Sequence, residues 1–449
     1  MVDAMRASEG FYHGQRVESR PAFTVPETFM TPSSGAARTL VAFAAALTLT
    51  AGTARAAADE KLLAAAKAAQ PAVVDTLKSL VMIETGSADA EGLAKLATLL
   101  DDRLKALGFK TERRKSPVGA GADTVIGTLT GAGTKRLMLQ GHMDTVYERG
   151  ILQTQPIRQD GNKLCGPGIA DDKGGLAVIL HALKMLGDAG WKDYATLTVV
   201  FNPDEEVGSR GSGEIIATLG AQQDYVLSYE PTAAKAVAKT EGLLLGAAGT
   251  ATVTMEVKGR AAHAGAAPEL GRNAIIEISH QMLQTKDIAK DIPGAQLNWT
   301  NVVSNKATNQ IPELAVATAD VRMTVPGAEE KLNAALQAKV GASQLVPDTQ
   351  TTVKLVIGRP AFLSGPRGRA LGERAQAIYK ELDRDLALAP MTGGATDAGF
   401  AARSGKPVVL ESFGLAGFGY HARDEYIELD SIVPRLYLTT RLLTEIAKP

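Results

Sequence analysis

Residues 135–146 read KRLMLQGHMDTV, a short apolar run closed by Gly141-His142-Met143-Asp144-Thr145-Val146. A run of this length at 135–140 predicts a buried strand, which leaves His142 and Asp144 just beyond its carboxyl end. Related stretches follow. Residues 195–201 (ATLTVVF) and 224–229 (DYVLSY) read as strands, and Leu176, Ile179, Leu180, Leu183 and Leu186 form an apolar helical stripe between them. Residues 60–107 are rich in Ala, Leu and Lys and predict two helices, with a turn near Gly86 and a stop at Gly108. Strands that alternate with helices predict an α/β domain with a mainly parallel central sheet covered on both faces.

Near residue 248 the texture changes. In 250–258 (TATVTMEVK), Ala251, Val253, Met255 and Val257 alternate with polar residues, as in a half-buried antiparallel strand. A helix is expected at about 271–285, a strand near 297–303, and a second alternating strand at 314–323 with Ala315, Ala317, Ala319, Val321 and Met323 on one face. A helix at 329–340 and a strand at 351–357 complete a βαββαβ order, the α+β ferredoxin-like arrangement. Helical texture at 370–383 and 434–446 and a buried strand at 407–410 then return to the first pattern. The expected organisation is therefore 57–247 and 359–449 as two parts of one domain, with 248–358 inserted.

The chain has 449 residues, 45% hydrophobic and 22% charged, the balance of an ordinary globular protein. Lys and Arg number 48 and Asp and Glu 49, so bulk charge gives nucleic-acid binding no support. Cys165 is the only cysteine, which rules out an intramolecular disulfide and every Cys-rich zinc motif. Residues 40–52 (LVAFAAALTLTAG), preceded by Arg38 and followed by Ala54-Arg55-Ala56, have the layout of a signal peptide within 1–56 and are too short to span a bilayer. Met30 just upstream is an alternative start. Export to the periplasm or beyond, with no stable membrane anchor, is the expectation.

Four segments bear chemistry, and three of them follow predicted strands directly: 141–146, 166–175 (GPGIADDKGG), 202–209 (NPDEEVGS) and 228–231 (SYEP). Gly419-Tyr420-His421 adds a second histidine far downstream. Ligands of open α/β sheets gather beyond the carboxyl ends of the strands. Taken singly, each segment fits an ordinary loop or helix start. Together they offer the His, Asp and Glu set of a two-metal site, whose ions lie about 3.5–4 Å apart. Asp144 is placed to partner the His142 ring. Of the adjacent Glu205 and Glu206, one can bind metal while the other takes a proton from water.

These motifs, with GRAAHAGAAPELGRNA at 259–274 and GFGYH at 417–421, resemble metallopeptidase family 20, and within it the glutamate carboxypeptidases of the carboxypeptidase G type. The likeness runs over about 60–447. It implies a zinc-peptidase catalytic domain with an inserted dimerisation or lid domain, two zinc ions per chain, and a homodimer. By the resemblance, Asp171 bridges the ions, His142 and Glu230 complete one set of ligands, Glu206 and His421 complete the other, and Glu205 is the general base for a metal-activated water. A cis peptide is implied at Asp171–Asp172. His263 is implied to reach the partner's site and stabilise an oxyanion. Asn309 resembles a residue that binds a terminal carboxylate, and Gly394 and Thr396 belong to a segment that resembles the family's substrate loop, Gly393-Gly394-Ala395-Thr396-Asp397. A family lysine is matched loosely by both Lys235 and Lys239.

Arg322 speaks without the family. Apolar residues take the odd positions of 314–323, so Arg322 faces the other way. With Arg359 it suits a substrate bearing two carboxylates. His181, His280 and Cys165 read as structural. The expected reaction is hydrolysis of the amide bond to a C-terminal glutamate in small-molecule or peptide substrates, folates among the candidates. Two alternatives stand beside it: a related dipeptidase or N-acyl-amino-acid deacylase, and a non-catalytic peptide-binding protein.

Overall fold

Alternation is what divides the core. In the computed structural model, which describes residues 57–116, 122–232, 240–305 and 307–448, neighbouring residues of each central strand enter different apolar clusters. Val125, Leu137, Leu139, Val199 and Leu227 point to one face, and Ile126, Met138, Val200 and Val226 to the other. The sheet is thus buried on both sides, as its continuous apolar runs require. The apolar run at 40–52, Lys235 and Lys239 lie outside the described residues.

This sheet has six strands in the order Lys110–Lys115, Asp123–Thr130, Thr196–Asn202, Arg136–His142, Tyr225–Ser228, Val408–Leu410. The last four are parallel, while the first two pair antiparallel with their neighbours, so the sheet is mixed. The sequence reading leaves those two strands unassigned. The reason is physical for Lys110–Lys115: KTERRK is an almost wholly exposed, charged edge strand without apolar alternation.

Helices Glu60–Val81, Lys173–Asp188 and Ile432–Ile446 pack together over one face. Side chains cap the starts of helices Glu60–Val81 and Ala90–Ala106. Asp59 accepts from the Leu62 amide and Asp89 from the Gly92 amide. Gly108 ends the second helix, Ala90–Ala106, with φ of 86°.

A separate four-stranded sheet follows the order Ala295–Ser304, Leu314–Met323, Gly249–Lys258, Gln350–Arg359, antiparallel throughout. Helices Ala274–Thr285 and Ala328–Ala342 cover one face. Ala251, Val253, Met255 and Val257 are buried beside Ala315, Ala317, Ala319, Val321 and Met323. A one-residue slip would turn that whole set outward, which is why register is firmly specified. The first helix starts at 274 rather than 271 because Asn273 caps it, accepting from Ile275 and Ile276.

A small antiparallel sheet, Gly417–Phe418, Tyr426–Glu428, Lys163–Cys165 and Arg158–Asp160, brings the loop carrying His421 against the segment leading to Asp171. Cys165 is buried there as packing. Among the described residues no helix is long and apolar enough to cross a membrane.

Candidate metal centre and active-site cleft

The parallel strands deliver their carboxyl ends to one edge of the sheet. His142 ends its strand, Glu205 and Glu206 follow Asn202, and Glu230 follows Ser228. Asp171 arrives just before the helix Lys173–Asp188. The close approach depends on glycine. A Cβ on Gly175 would lie 2.2 Å from both Asp172 Oδ1 and the Tyr229 carbonyl oxygen. The Asp171–Asp172 peptide is cis.

Asp171 stands between the two histidines. Its Oδ1 is 2.9 Å from His142 Nε2 and its Oδ2 is 3.2 Å from His421 Nε2. Glu230 Oε2 lies 3.7 Å from His142 Nε2, and Glu206 Oε2 lies 3.1 Å from His421 Nε2. The two histidines therefore meet on one carboxylate from opposite sides. Donor atoms of His142, Asp171 and Glu206 lie within 4.8 Å of one another, as do those of His142, Glu205 and Glu230.

The electrostatics fit a cation. Burial pushes Glu205 well above the usual carboxylate range against the charge of Arg359, and pushes Glu230 up to about 7. Hydrogen bonds with Asp171 and Glu206 push His421 up to about 10. Burial opposes charge on His142, but the Glu230 charge and hydrogen bonds with Asp144 and Asp171 outweigh it and hold the ring well above its ordinary value. Burial would likewise raise Asp171, yet the hydrogen bonds and charges of both histidines bring it below the ordinary range. A dense set of buried carboxylates thus draws protons onto two imidazoles. Divalent ions would take the place of those protons, and the mixed nitrogen and oxygen donors suit zinc.

Residues 138–445 match the profile of Peptidase family M20/M25/M40. The chain belongs to this family. It is 46% identical over 413 residues to Carboxypeptidase G2 of Pseudomonas sp. (strain RS-16), covering 91% of this chain and 98% of that protein. Among solved structures it is similar to aminopeptidase PepT from Bacillus cereus, at 20% identity and a TM-score of 0.67, covering 84% of this chain and 99% of the other. It also resembles the YXEP protein of Bacillus subtilis, described as a dinuclear metal binding peptidase, at 14% identity and a TM-score of 0.59, covering 85% and 99%. This M20 chain is a hydrolase, a metallopeptidase related to Carboxypeptidase G2.

Beside the M20 cluster runs a cleft of about 400 Å³, lined by Arg322, Arg359, Gly394 and Thr396 together with Asp171, Glu205, Glu206, Glu230 and His421. Arg322 comes from the inserted sheet and pairs at its rim with Asp320, 3.0 Å away. Arg359 is nearly buried. Its Nη1 donates to the Ala395 carbonyl at 3.0 Å, and its Nη2 lies 3.0 Å from Glu205 Oε1. That contact is close but off the hydrogen-bond direction, so Nε and Nη2 keep unspent donors. The Thr396 hydroxyl donates to Glu411 at 2.9 Å, which pins the 393–397 loop.

Asp144 lies beside the His142 ring, as the sequence reading places it, and has further partners. The His142 ring Nδ1 meets the Asp144 main-chain oxygen at 3.0 Å, nearer than the carboxylate at 3.4 Å. The carboxylate also accepts from the Glu205 and Glu206 amides at 2.9 and 3.0 Å and from the Ser87 hydroxyl at 2.7 Å. It holds the turn that presents both glutamates.

His263 and Asn309 do not line this chain's own cleft. His263 is exposed, and its Nδ1 accepts from the Gly265 and Ala266 amides at 3.2 and 3.1 Å. That leaves Nε2 as the ring's proton-bearing nitrogen, pointing to a donor role. His181 Nε2 meets Thr76 Oγ1 at 2.9 Å and His280 Nε2 meets Ser343 Oγ at 2.8 Å, both away from the cluster.

Sequence reasoning misses Tyr147, Asp397, Glu411 and Glu425. Asp397 is buried, accepts from Asn202 Nδ2 at 2.7 Å and from Ser209, and sits 3.9 Å from Arg359 Nε. The 393–397 motif contains it, so its position beside the substrate loop is the signal that was available. Glu411 follows a buried strand, the same signal that marks Glu230. Tyr147 and Glu425 carry no local signal.

Proposed function

We propose that the protein is an exported zinc carboxypeptidase that hydrolyses the amide bond to a C-terminal glutamate, with folates among its candidate substrates. The single observation that carries the reading is Asp171 held between His142 and His421, with Glu205 beside it and two arginines in the same cleft. His142, Asp171 and Glu230 would hold one ion, and Asp171, Glu206 and His421 the other. Bound there, the pair supplies Lewis-acid polarisation of a carbonyl and makes nearby water acidic.

The chain's own residues do the rest. Glu205 is the general base. Its burial and the Arg359 charge pull its proton affinity in opposite directions, which suits a group that takes a proton from water and then gives it to the leaving amine. Asp144 fixes the main chain of Glu205, so the carboxylate needs no searching. Unspent donors of Arg359, with Arg322 at the rim, are matched to the two carboxylates of a terminal glutamate. Gly394 allows close backbone approach of substrate, and Thr396 holds its loop.

Residues 57–247 and 359–449 form the catalytic part in this reading, and 248–358 the part through which two chains pair. The exposed His263 and Asn309 then serve the partner's cleft, His263 as a hydrogen-bond donor to the developing oxyanion, an interaction worth about 2.7–4 kcal/mol. Export rests on the apolar run at 40–52. Kinship with Carboxypeptidase G2 supports the glutamate side of the scissile bond.

The test has two arms. N-acylated glutamates should be turned over far faster than N-acetylornithine or neutral dipeptides, and the opposite preference rejects the glutamate assignment in favour of a deacylase or dipeptidase. Glu205→Gln should lower kcat by about 10²–10⁴-fold while bound zinc stays at about two ions per chain. Retained turnover would remove Glu205 as base, and absent turnover in wild-type protein on all three substrate classes would favour a non-catalytic peptide binder.

A further inference from the structure

His421 is the least buried of the five candidate ligands, more than half exposed at its side chain, and it sits on a loop rather than at a strand end. Its backbone has φ of 63°, a left-handed conformation that a residue with a side chain keeps only when its surroundings impose it. The surroundings here are specific. Tyr147 Oη lies 2.8 Å from the carbonyl oxygen of Ala422, the next residue, and 2.8 Å from Glu425 Oε2, so its single proton is shared between two acceptors. The Ala422 amide closes the turn onto the Gly419 carbonyl at 3.0 Å.

Glu425 extends the same chain of contacts to Asp171. Its Oε1 accepts from the Ala170 amide at 2.8 Å and the Asp171 amide at 3.0 Å, and its Oε2 accepts from the Gly168 amide at 2.8 Å. The carboxylate is fully buried. Strand pairing of Tyr426 with Cys165 sets it beneath that segment. One carboxylate therefore grips the main chain that carries Asp171, while the phenol on its other oxygen grips the main chain that carries His421. The hydrogen bonds of both side chains go to main chain and to each other.

We propose that Tyr147 and Glu425 are positioning residues that set the gap between Asp171 and His421, and with it the affinity for the ion held by Glu206 and His421. This rests on the two-ion reading above. The ladder that joins the two segments stops at Tyr426 and Cys165, with one more bond from the Gly166 amide to the Glu425 carbonyl at 3.2 Å, and beyond it the pair is a clamp that links the Asp171 and His421 main chains. Its loss should weaken one ion and spare the one held by His142 and Glu230.

Metal-free full-length protein titrated with Zn²⁺ against a chromophoric chelator tests this. Wild-type protein should take up two ions. Tyr147→Phe, which keeps the ring and removes the hydroxyl, should weaken one binding step by about 10–100-fold, leave the other unchanged and leave the melting temperature of the metal-free protein unchanged. Glu425→Gln should weaken the same step. In a His421→Ala background, Tyr147→Phe should have no further effect on the remaining step. Unchanged affinities in Tyr147→Phe, equal weakening of both steps, or a further loss in the His421→Ala background would each overturn the proposal. Wild-type protein that takes up fewer than two ions would instead reject the two-ion reading, a result seen before any variant is compared.

Discussion

Asp144 offers the sharpest test of how the glutamate turn is held. Its carboxylate is fully buried and serves three donors, the amides of Glu205 and Glu206 and the hydroxyl of Ser87. Asp144→Ala would strand all three. The serine hydroxyl can rotate away, which leaves two fixed amides. Each buried donor without a partner costs about 1–3 kcal/mol, so the expected loss is roughly 2–6 kcal/mol. Water entering the vacated carboxylate volume would bring the loss toward the lower figure. Urea unfolding of metal-free protein measures this. The same turn positions Glu205 and Glu206, so kcat/KM should also fall, by about 10–100-fold, the range for residues that orient metal ligands. A variant within about 0.5 kcal/mol of wild type, the range of an ordinary surface change, and with unchanged kcat/KM would refute the idea that Asp144 organises this turn.

Three further outcomes are expected. Arg322→Ala should raise KM for N-acylglutamates by about 10–100-fold, since a hydrogen bond to a charged group is worth about 1.5–3 kcal/mol, and should change N-acylalanine hydrolysis little; equal loss on both substrates would count against a carboxylate contact. Burial, helped by the charges of Arg103 and Lys184, brings His181 down to about 4. Because its unfolded value near 6.5 is higher, the unfolded chain takes the proton first, and stability should fall as pH drops from 6.5 to 4. After allowance for partial exposure the loss is on the order of 1–2 kcal/mol; a His181→Gln variant with the same acid-side slope as wild type would contradict it. Mixed dimers of Glu205→Ala and His263→Ala chains should recover activity at one site, measured after tandem-tag purification, and no recovery would refute the shared site.

Much of this architecture could be read from side-chain periodicity. Odd-position burial in 251–257 and 315–323 marks both the strands of the inserted sheet and the outward direction of Arg322, because a pleat permits only two faces. His142, Glu205, Glu206 and Glu230 stand out as candidates for a related reason: each is a polar residue at, or within four positions of, the carboxyl end of an apolar strand. The roles given to all five candidate ligands, Asp171 as the shared one among them, come from motif resemblance. Contacts made by main chain lay out of reach. Nothing in the local pattern around Glu425 announces that three amides more than 250 residues away in sequence converge on it. Strand Lys110–Lys115 was hidden because charged edges read as loops. Arg359 was expected to meet substrate, and its proximity to Glu205 is a fact of the third dimension alone.

The candidate ligands are scattered from His142 to His421, and the last of them is delivered by a short sheet that pairs Tyr426–Glu428 with Lys163–Cys165. No amino-terminal fragment ending before that pairing can present the full set. With ions bound as proposed, metal capture would wait on the carboxyl-terminal part of the chain: a polypeptide that ends before His421 would lack the final imidazole.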